Sequence, residues 1–269
     1  MPAPRPVTVI TGASAGIGAE LARVFARHHH ELLLVARRES RLASLADEIA
    51  ATGELRPDVF PIDLTQPDAT ARVTKALAAR ALEPQFVVNS AGFGLLGSAA
   101  ELDRNAQLGM IDLNVRVVTD LSLRFLDSLQ RHRGGILNVS SVLGFMPGPG
   151  MTVYHATKAY VLAFSEGLHE ELKARGIRVT VLCPGPVDTE FQVRGEGYLP
   201  RRFVRPVGRV ARAGYEGLMQ GQRLVVPGKD NKVLSFLPRV LPRSVVLSMI
   251  GRSQRKQADV RPEQTTSTE

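Results

Sequence analysis

The segment VTVITGASAGIGAELARVFARH, at residues 7–28, joins a short β-branched run to a helical pattern through a turn with three glycines. The first five residues indicate a strand, and apolar residues at helical spacing in AELARVFARH indicate a helix. Gly12, Gly16 and Gly18 suggest a tight turn, and such a turn needs residues without a Cβ. The N-terminus of the helix that follows offers free N–H groups to a pyrophosphate. The segment predicts a dinucleotide site after strand one. Its spacing differs from G-x-G-x-x-G, however, and a strand-to-helix turn without a ligand is the alternative.

The same alternation of short apolar runs and helical patterns continues along the chain and indicates βα units. The runs are nearly continuous in apolar character, as in strands that are covered on both faces. The pattern predicts an α/β fold: a single doubly wound, Rossmann-type domain with a seven-stranded parallel sheet and helices on both faces. The predicted strands are VTVIT (7–11), ELLLVA (31–36), DVFPI (58–62), FVVNS (86–90), GILNVS (135–140), IRVTVLC (177–183) and RLVVP (223–227).

The domain organisation follows from where this alternation stops. We expect residues 1–227 to form the dinucleotide-binding and catalytic domain, with a substrate loop at 189–206 that is rich in Gly, Pro and Arg. Residues 228–257 would extend the same domain with C-terminal helices. The polar residues 258–269 would form a disordered tail.

Composition narrows the class of protein. The 269 residues are 44% hydrophobic and 22% charged, which is typical of a globular protein. A single cysteine, Cys183, excludes an intramolecular disulfide and a cysteine-based metal cluster, and no metal site is predicted. The N-terminus lacks the features of a secretory signal, so we expect a cytoplasmic location. From Arg194 onward there are 15 Lys and Arg against 6 Asp and Glu, and such a local excess argues against a uniform nucleic-acid-binding surface.

The end of the second strand indicates which dinucleotide is bound. NAD sites of this type place an acidic residue about 20 residues after the glycine turn, whereas an arginine accommodates a 2′-phosphate. Here Arg37 and Arg38 follow the strand, and the first acidic residue is Glu39. A guanidinium matches phosphate oxygens bidentately, so the sequence favours NADP(H) over NAD. Surface arginines that open a helix are the alternative, chiefly for Arg38.

The stretch YHATKAY, at residues 154–160, places a lysine four residues after a tyrosine. On a helix these two side chains share a face, so the ammonium of Lys158 would lie beside the phenol of Tyr154. A neighbouring positive charge should lower the pKa of a phenol. Tyrosine and lysine also meet at this spacing by chance on solvated helix faces, so the pair needs support from the rest of the chain.

Together these residues resemble the short-chain dehydrogenase/reductase family over residues 7–193. TGASAGIG is similar to its cofactor loop, NSAG (89–92) to its Asn-Asn-Ala-Gly motif, and NVSS followed by YHATK to its catalytic segment. PGPVDT (184–189) resembles its nicotinamide-side loop. Two positions depart from the pattern: Ser90 replaces the second asparagine, and Ala15 stands where some NADP-dependent members carry a basic residue. The second departure leaves the NADP prediction dependent on Arg37.

The resemblance implies a catalytic set and a cofactor site. Tyr154 would exchange a proton with the substrate, Ser141 would hold the substrate oxygen, and Lys158 would tune the phenol. Asn114 would hold a water that connects Lys158 to solvent; from the residues alone it is equally a kink or a helix-surface residue. The implied cofactor-binding residues are Gly12, Ser14, Ala15, Gly16, Ile17, Gly18, Arg37, Arg38, Asp63, Leu64, Asn89, Ala91, Gly92, Tyr154, Lys158, Pro184, Gly185, Val187 and Thr189.

The predicted function is transfer of a hydride between NADP(H) and a carbonyl compound or secondary alcohol. The substrate regions are rich in apolar side chains, so we expect a small-molecule substrate that is a medium or large hydrophobic carbonyl compound, such as a fatty-acyl, steroid-like or xenobiotic ketone. The residues involved are Leu143, Phe145, Met146, Met151, Phe191, Tyr198, Leu199 and Phe203.

Several alternatives stay open. One is a 3-ketoacyl thioester reductase, and another is a membrane-peripheral NADP-binding protein with little turnover. The basic and apolar C-terminal segment could lie on a membrane or a partner subunit, or cover the substrate cleft or a dimer surface. A homodimer or homotetramer is a family expectation.

Overall fold

The computed structural model describes residues 4–188, 193–194 and 204–248. Seven parallel strands form one sheet in the order β3-β2-β1-β4-β6-β7-β9, which confirms the predicted doubly wound fold. Every predicted strand is present. Their bounds are β1 Arg5–Thr11, β2 Leu32–Ala36, β3 Asp58–Pro61, β4 Leu82–Asn89, β6 Gly135–Val139, β7 Arg178–Leu182 and β9 Leu224–Val225.

Helices cover both faces of this sheet. On one face, α1 and α8 pack around Leu21, Phe25 and Leu218. On the other face, Leu121, Leu129 and other apolar side chains form a second core. The described α-helices are α1 Gly16–Ala26, α2 Glu39–Ala51, α3 Ala69–Ala79, α4 Arg104–Ile111, α5 Val118–Arg124, α6 Leu126–Arg131, α7 Thr152–Lys173, α8 Val207–Met219 and α9 Lys229–Val240.

The strand order reverses direction between β1 and β4. From β1 the chain builds outward to β2 and β3, and it then returns to place β4 on the other side of β1. In doubly wound sheets a ligand binds at such a switch point, outside the carboxyl ends of the strands. The residues that follow β1 and β4 are therefore the expected walls of a cofactor crevice.

The helical stretch between residues 104 and 131 is not one regular helix. A π-helical segment, Asp112–Val117, separates α4 from α5, and Phe125 separates α5 from α6. Apolar spacing alone does not reveal a π-turn, because one extra residue in a turn shifts the helical face only slightly. Such segments are frequent at functional sites, and this one contains Asn114.

Two short strands lie outside the main sheet and were not predicted. These strands, β5 (Gly94–Leu95) and β8 (Val193–Arg194), pair in parallel. Two residues carry too little alternation to be recognised in a sequence.

Helix α9 lies within the helical extension predicted at 228–257, of which residues 249–257 are outside the described part of the chain. No described helix is both long enough and apolar enough to cross a membrane. Of the predicted substrate loop at 189–206, only residues 193–194 and 204–206 are described. The predicted tail at 258–269 lies outside the described residues. The same is true of Phe191, Tyr198, Leu199 and Phe203.

Candidate active site

The glycine turn leads from β1 into α1 by a close approach of main chains. Gly12 has a left-handed φ of +69°, and a Cβ there would lie 2.8 Å from the backbone of Ala91. A Cβ on Gly18 would collide with the carbonyl oxygen of Gly12. Side chains are therefore excluded at these two positions, and the N-terminus of α1, which begins at Gly16, is left facing the turn.

The end of β4 is joined to this turn by Thr11, a residue that sequence reasoning missed. Its Oγ1 accepts hydrogen bonds from the backbone N–H groups of Ser90 and Ala91 at 3.1 and 3.2 Å. The side chain is 1% exposed, so the bonds are shielded from water. The signal available in the sequence was a hydroxyl residue at the last position of a strand that precedes a glycine turn.

The predicted 2′-phosphate site contains three of the predicted polar residues. The guanidinium of Arg38 donates to Ser14 Oγ at 3.2 Å and to the Ser14 carbonyl at 3.4 Å. Arg37 lines a cleft of about 410 Å³ together with Asp63. Burial alone would raise the pKa of Asp63, but hydrogen bonds from Thr65 and the charge of Arg37 lower it below its usual value. Sequence reasoning favoured Arg37, but the arginine whose guanidinium contacts the glycine turn is Arg38.

This arrangement fits NADP(H). The turn is bare of side chains at Gly12 and Gly18, which suits a pyrophosphate, and the guanidinium of Arg38 lies on Ser14 within the turn. Asn89, the last residue of β4, is 2% exposed, and its Oδ1 lacks a hydrogen-bond partner among the described residues. An unpartnered buried acceptor costs free energy unless a ligand or water satisfies it.

Other predicted cofactor-binding residues lie at or near the ends of β1, β3 and β4. Asn89 Nδ2 donates to Asn138 Oδ1 at 2.8 Å, which orients the side chain at the end of β4. Gly92 lies between Asn114 and Lys158, since a Cβ there would lie 2.9 Å from Asn114 Oδ1 and 3.6 Å from Lys158 Nζ. Ala15, Ile17 and Leu64 flank these groups in sequence, with Ala15 preceding α1, Ile17 in α1 and Leu64 after β3.

The predicted catalytic side chains converge where β6 ends and α7 begins. Ser141 follows β6, and its side chain makes a hydrogen bond with that of Tyr154 in the first turn of α7. Lys158 lies one turn further along α7, with Nζ 5.7 Å from the centre of the Tyr154 ring. The ammonium donates to the carbonyl oxygen of Val139 at 2.9 Å. All three side chains are buried.

Asn114 is fixed beside this group by the π-helical segment. Its Nδ2 donates to the Phe93 carbonyl at 2.9 Å and to Thr157 Oγ1 at 3.1 Å, and its Oδ1 accepts from the Phe93 N–H at 3.2 Å. The side chain is fully buried, so the reading of Asn114 as a helix-surface residue is wrong. The other alternative, a kink, agrees with the π-helical segment in which Asn114 lies. The Asn114 side chain and Lys158 Nζ both lie close to Gly92.

Burial decides the ionisation of the pair that the sequence singled out. Burial raises the pKa of Tyr154 above its usual value, against the smaller lowering effect of the hydrogen bond with Ser141. The protein's own groups therefore raise the pKa of the Tyr154 phenol, and the prediction that they lower it is wrong. Burial also lowers the pKa of Lys158 to about 8, which weakens the charge that was expected to act on the phenol.

The predicted nicotinamide-side loop packs against both the catalytic strand and the C-terminal helix. The Pro184 carbonyl accepts from the N–H of Val142, and Val187 pairs with Arg205. A Cβ on Gly185 would collide with the side chain of Asn231 in α9. Thr189 lies outside the described residues.

Apolar side chains border Tyr154 on the other side. A narrow apolar crevice is lined by Leu95, Met110 and Met151 as well as by the tyrosine. Of the predicted substrate residues, Met151 therefore lies at the site, and Leu143 packs against the same cluster. Phe145 and Leu143 also pack with a neighbouring cluster that contains Val142 and Cys183.

The loop between Ser141 and α7 is held by His155, which the sequence did not single out. Its Nδ1 is 2.8 Å from the Met146 carbonyl oxygen, and a Cβ on Gly148 would collide with its ring. His155 is 5% exposed and adjoins Tyr154 in α7. The only signal in the sequence was a polar residue on the buried side of a helix.

Comparison with known proteins agrees with this geometry. The model of the short chain dehydrogenase family matches residues 6–196. An uncharacterised oxidoreductase of Myxococcus xanthus is 32% identical over 84% of this chain and 91% of its own length. A short-chain dehydrogenase from Sphingobium yanoikuyae, solved in complex with NADPH, is 31% identical with a TM-score of 0.75, over 97% of this chain and 99% of that one. A bulky-bulky ketone specific alcohol dehydrogenase from Comamonas testosteroni is 27% identical with a TM-score of 0.72, over 97% of both chains.

Proposed function

Because the chain is an oxidoreductase that belongs to the short-chain dehydrogenase/reductase family, we propose that it transfers a hydride between NADP(H) and a hydrophobic ketone or secondary alcohol. The observation that carries the proposal is the convergence of Ser141, Tyr154 and Lys158, all buried, at the carboxyl end of the sheet. A crevice with arginines at one end and a phenol at the other has the parts that reduction by NADPH requires.

In this proposal the chain's own residues manage one proton and one developing negative charge. The bound NADP(H) supplies or accepts the hydride. Tyr154 donates the proton to the substrate oxygen, and its raised pKa keeps it protonated at neutral pH. The Ser141 hydroxyl, which makes a hydrogen bond with the Tyr154 side chain, orients the substrate oxygen against the phenol. Lys158 stabilises the phenolate that remains.

Asn114 takes a positioning role in the proposal. It fixes the Phe93 main chain and lies beside Gly92, which separates it from Lys158. After the reduction, Lys158 would pass a proton to the Tyr154 phenolate, and a water held between Asn114 and Lys158 would return a proton to the lysine. The π-helical segment supports this role because Asn114 is fully buried in it and such segments are frequent at functional sites.

We assign the 2′-phosphate to Ser14, Arg37 and Arg38. The guanidinium of Arg38 already lies on Ser14, and Arg37 lies at the mouth of the adjoining cleft. The Sphingobium relative was solved with NADPH, which agrees with this assignment. Further support comes from the lack of an acidic residue between the end of β2 and Glu39.

The substrate side is apolar in the described residues. Leu95, Met110 and Met151 border Tyr154, and such a lining favours a hydrophobic carbonyl compound. The Comamonas relative is named for bulky ketones, which agrees with a substrate that carries two large groups. The alternative is a 3-ketoacyl thioester, since the basic last third of the chain would attract an acidic carrier.

The test is NADPH oxidation against a panel of bulky ketones, small ketones, aldehydes and 3-ketoacyl thioesters, with NADH in parallel. We expect turnover of bulky ketones with NADPH, little dependent on salt, and a large loss in Ser141→Ala. Turnover of acyl thioesters alone, weakened by salt, would replace the ketone proposal with the thioester alternative. Failure of the whole panel in spite of NADPH binding would contradict both substrate classes.

A further inference from the structure

Helix α9 buries polar side chains and exposes apolar ones, which is the reverse of an ordinary surface helix. A helix on the surface of a globular protein buries its apolar side chains and exposes its polar ones. In α9 the buried side chains are Asn231 and Ser235, one turn apart. The opposite face exposes Val233 by 66%, Phe236 by 58% and Val240 by 59%.

This apolar face is the largest concentration of exposed hydrophobic side chains in the described part of the chain. Of twelve large hydrophobic residues exposed there, seven belong to α9 or the segment that follows it. Contiguous exposed apolar surface of this kind marks an interaction site. The seven, which we call the α9 patch, are Val233, Leu234, Phe236, Leu237, Val240, Val245 and Leu247.

The buried polar face attaches α9 firmly to the domain. Asn231 Nδ2 donates to the Pro227 carbonyl at 2.7 Å, and the asparagine packs on Gly185. Asp230 forms an ion pair with Arg205. The reversed orientation is therefore fixed by specific polar contacts, and rotation of the helix to bury its apolar face would break them.

The charges around the α9 patch identify its occupant. Between residues 229 and 256 the sequence has seven basic residues, at 229, 232, 239, 243, 252, 255 and 256, and one acidic residue, Asp230. Asp230 is already paired with Arg205. An apolar stripe bordered by Lys and Arg suits a surface of anionic lipid headgroups over acyl chains. A second copy docked through the same patch would bring the exposed Lys229, Lys232 and Arg243 of both copies together.

We infer that the α9 patch docks this protein on an anionic lipid surface, with α9 lying flat in the interface. Val233, Phe236 and Val240 would enter the acyl boundary, and Lys229 and Lys232 would meet the headgroups. The inference is independent of the reaction that the protein catalyses.

The test is co-sedimentation of the full chain with vesicles of pure phosphatidylcholine and of an equal mixture of phosphatidylcholine and phosphatidylglycerol. The decisive variant is Val233→Ser/Phe236→Ser/Val240→Ser, and Lys229→Gln/Lys232→Gln tests the charge. Leu55→Ser is the matched control, because Leu55 is 61% exposed but lies in the turn after α2. Circular dichroism and light scattering report the fold and the oligomeric mass of each variant.

We expect the wild type and Leu55→Ser to bind the anionic vesicles equally and to bind more weakly at high salt. The triple serine variant should bind about tenfold or more weakly with an unchanged fold and mass, since the apolar insertion is lost. Wild-type protein that ignores anionic vesicles would overturn the inference, and so would a triple variant that binds them as tightly as the wild type. A lower oligomeric mass in the triple variant would instead assign the patch to a second copy.

Discussion

At the scale of single residues, Tyr154 and Lys158 share a buried site but respond to burial in opposite directions. Burial keeps the phenol protonated, and it brings the pKa of the ammonium down to about 8. The pair is thus suited to donate a proton from tyrosine while lysine is still charged. Above the lysine pKa the phenolate loses the cation that stabilises it.

We predict that carbonyl reduction declines as the pH rises through about 8, the pKa of Lys158. Lysine is charged below that value and neutral above it, whereas Tyr154 remains protonated on both sides. The measurement is kcat/KM for NADPH-dependent reduction as a function of pH. The control is Lys158→Arg, which stays charged throughout and should lose this decline in whatever activity it retains. A wild-type profile that does not change across this pH would contradict the assignment.

We predict that single residues also decide whether the protein prefers NADPH or NADH. Arg37→Asp should weaken NADPH relative to NADH by roughly tenfold to a hundredfold, as expected for loss of a charged hydrogen bond to phosphate. Arg38→Ala should weaken NADPH as well, because its guanidinium lies on Ser14. The measurement is the ratio of kcat/KM for the two cofactors, with Arg41→Ala on the same helix as the control. A ratio that stays unchanged in both variants would place the 2′-phosphate elsewhere.

Residue identities at the site were predictable, but their ionisation was not. Tyr154 and Lys158 are one helical turn apart in any helix, so their contact could be predicted from spacing. The pKa of each depends on how much water the tertiary structure removes, and the sequence does not specify that. The contact of Arg38 with Ser14 likewise depends on how α2 begins relative to the glycine turn.

At the scale of elements, α7 does more than carry the tyrosine and the lysine. His155, the next residue after Tyr154, holds the loop between Ser141 and α7 through Met146 and leaves room for no side chain at Gly148. The ring of His155 therefore fits against the loop only with a glycine at position 148. The position of the loop relative to Tyr154 depends on this contact.

We predict that Gly148→Ala lowers stability by about 1–3 kcal/mol and raises KM for the carbonyl substrate, because its Cβ would collide with the imidazole. Adding His155→Ala to this variant should recover part of the loss by making room for the methyl group. Thermal unfolding and steady-state kinetics measure the two effects. Gly167→Ala is the matched control, since a Cβ at that position of α7 meets no atom within 4 Å. Equal losses in Gly148→Ala with and without His155→Ala would refute this coupling.

Strands and helices differed in how far the sequence revealed them. All seven strands of the main sheet could be predicted, because strands covered on both faces are nearly continuous apolar runs. The π-helical segment Asp112–Val117 could not be predicted, since its side-chain pattern is close to that of an α-helix. Yet this segment contains Asn114, so the least predictable element carries one of the predicted site residues.

At the scale of the whole molecule, the order of the strands brings distant residues to one edge of the sheet. Gly12 follows β1, Asn89 ends β4 and Ser141 follows β6, and the doubly wound order places these three strands side by side. This juxtaposition was predictable once the βα alternation was recognised. The reversed orientation of α9 was not, because a sequence shows that a helix has two faces but not which one the domain covers.

The rate of NADPH oxidation by Tyr154→Phe tests the central claim most directly, with the wild type and the best carbonyl substrate of the panel as reference. Only the phenolic hydroxyl is removed, so NADPH binding serves as the internal check that the fold and the cofactor crevice persist. We predict that turnover falls by about a hundredfold to ten-thousandfold while NADPH binding is retained. Turnover close to that of the wild type would show that Tyr154 is not the proton donor and would contradict the proposed mechanism.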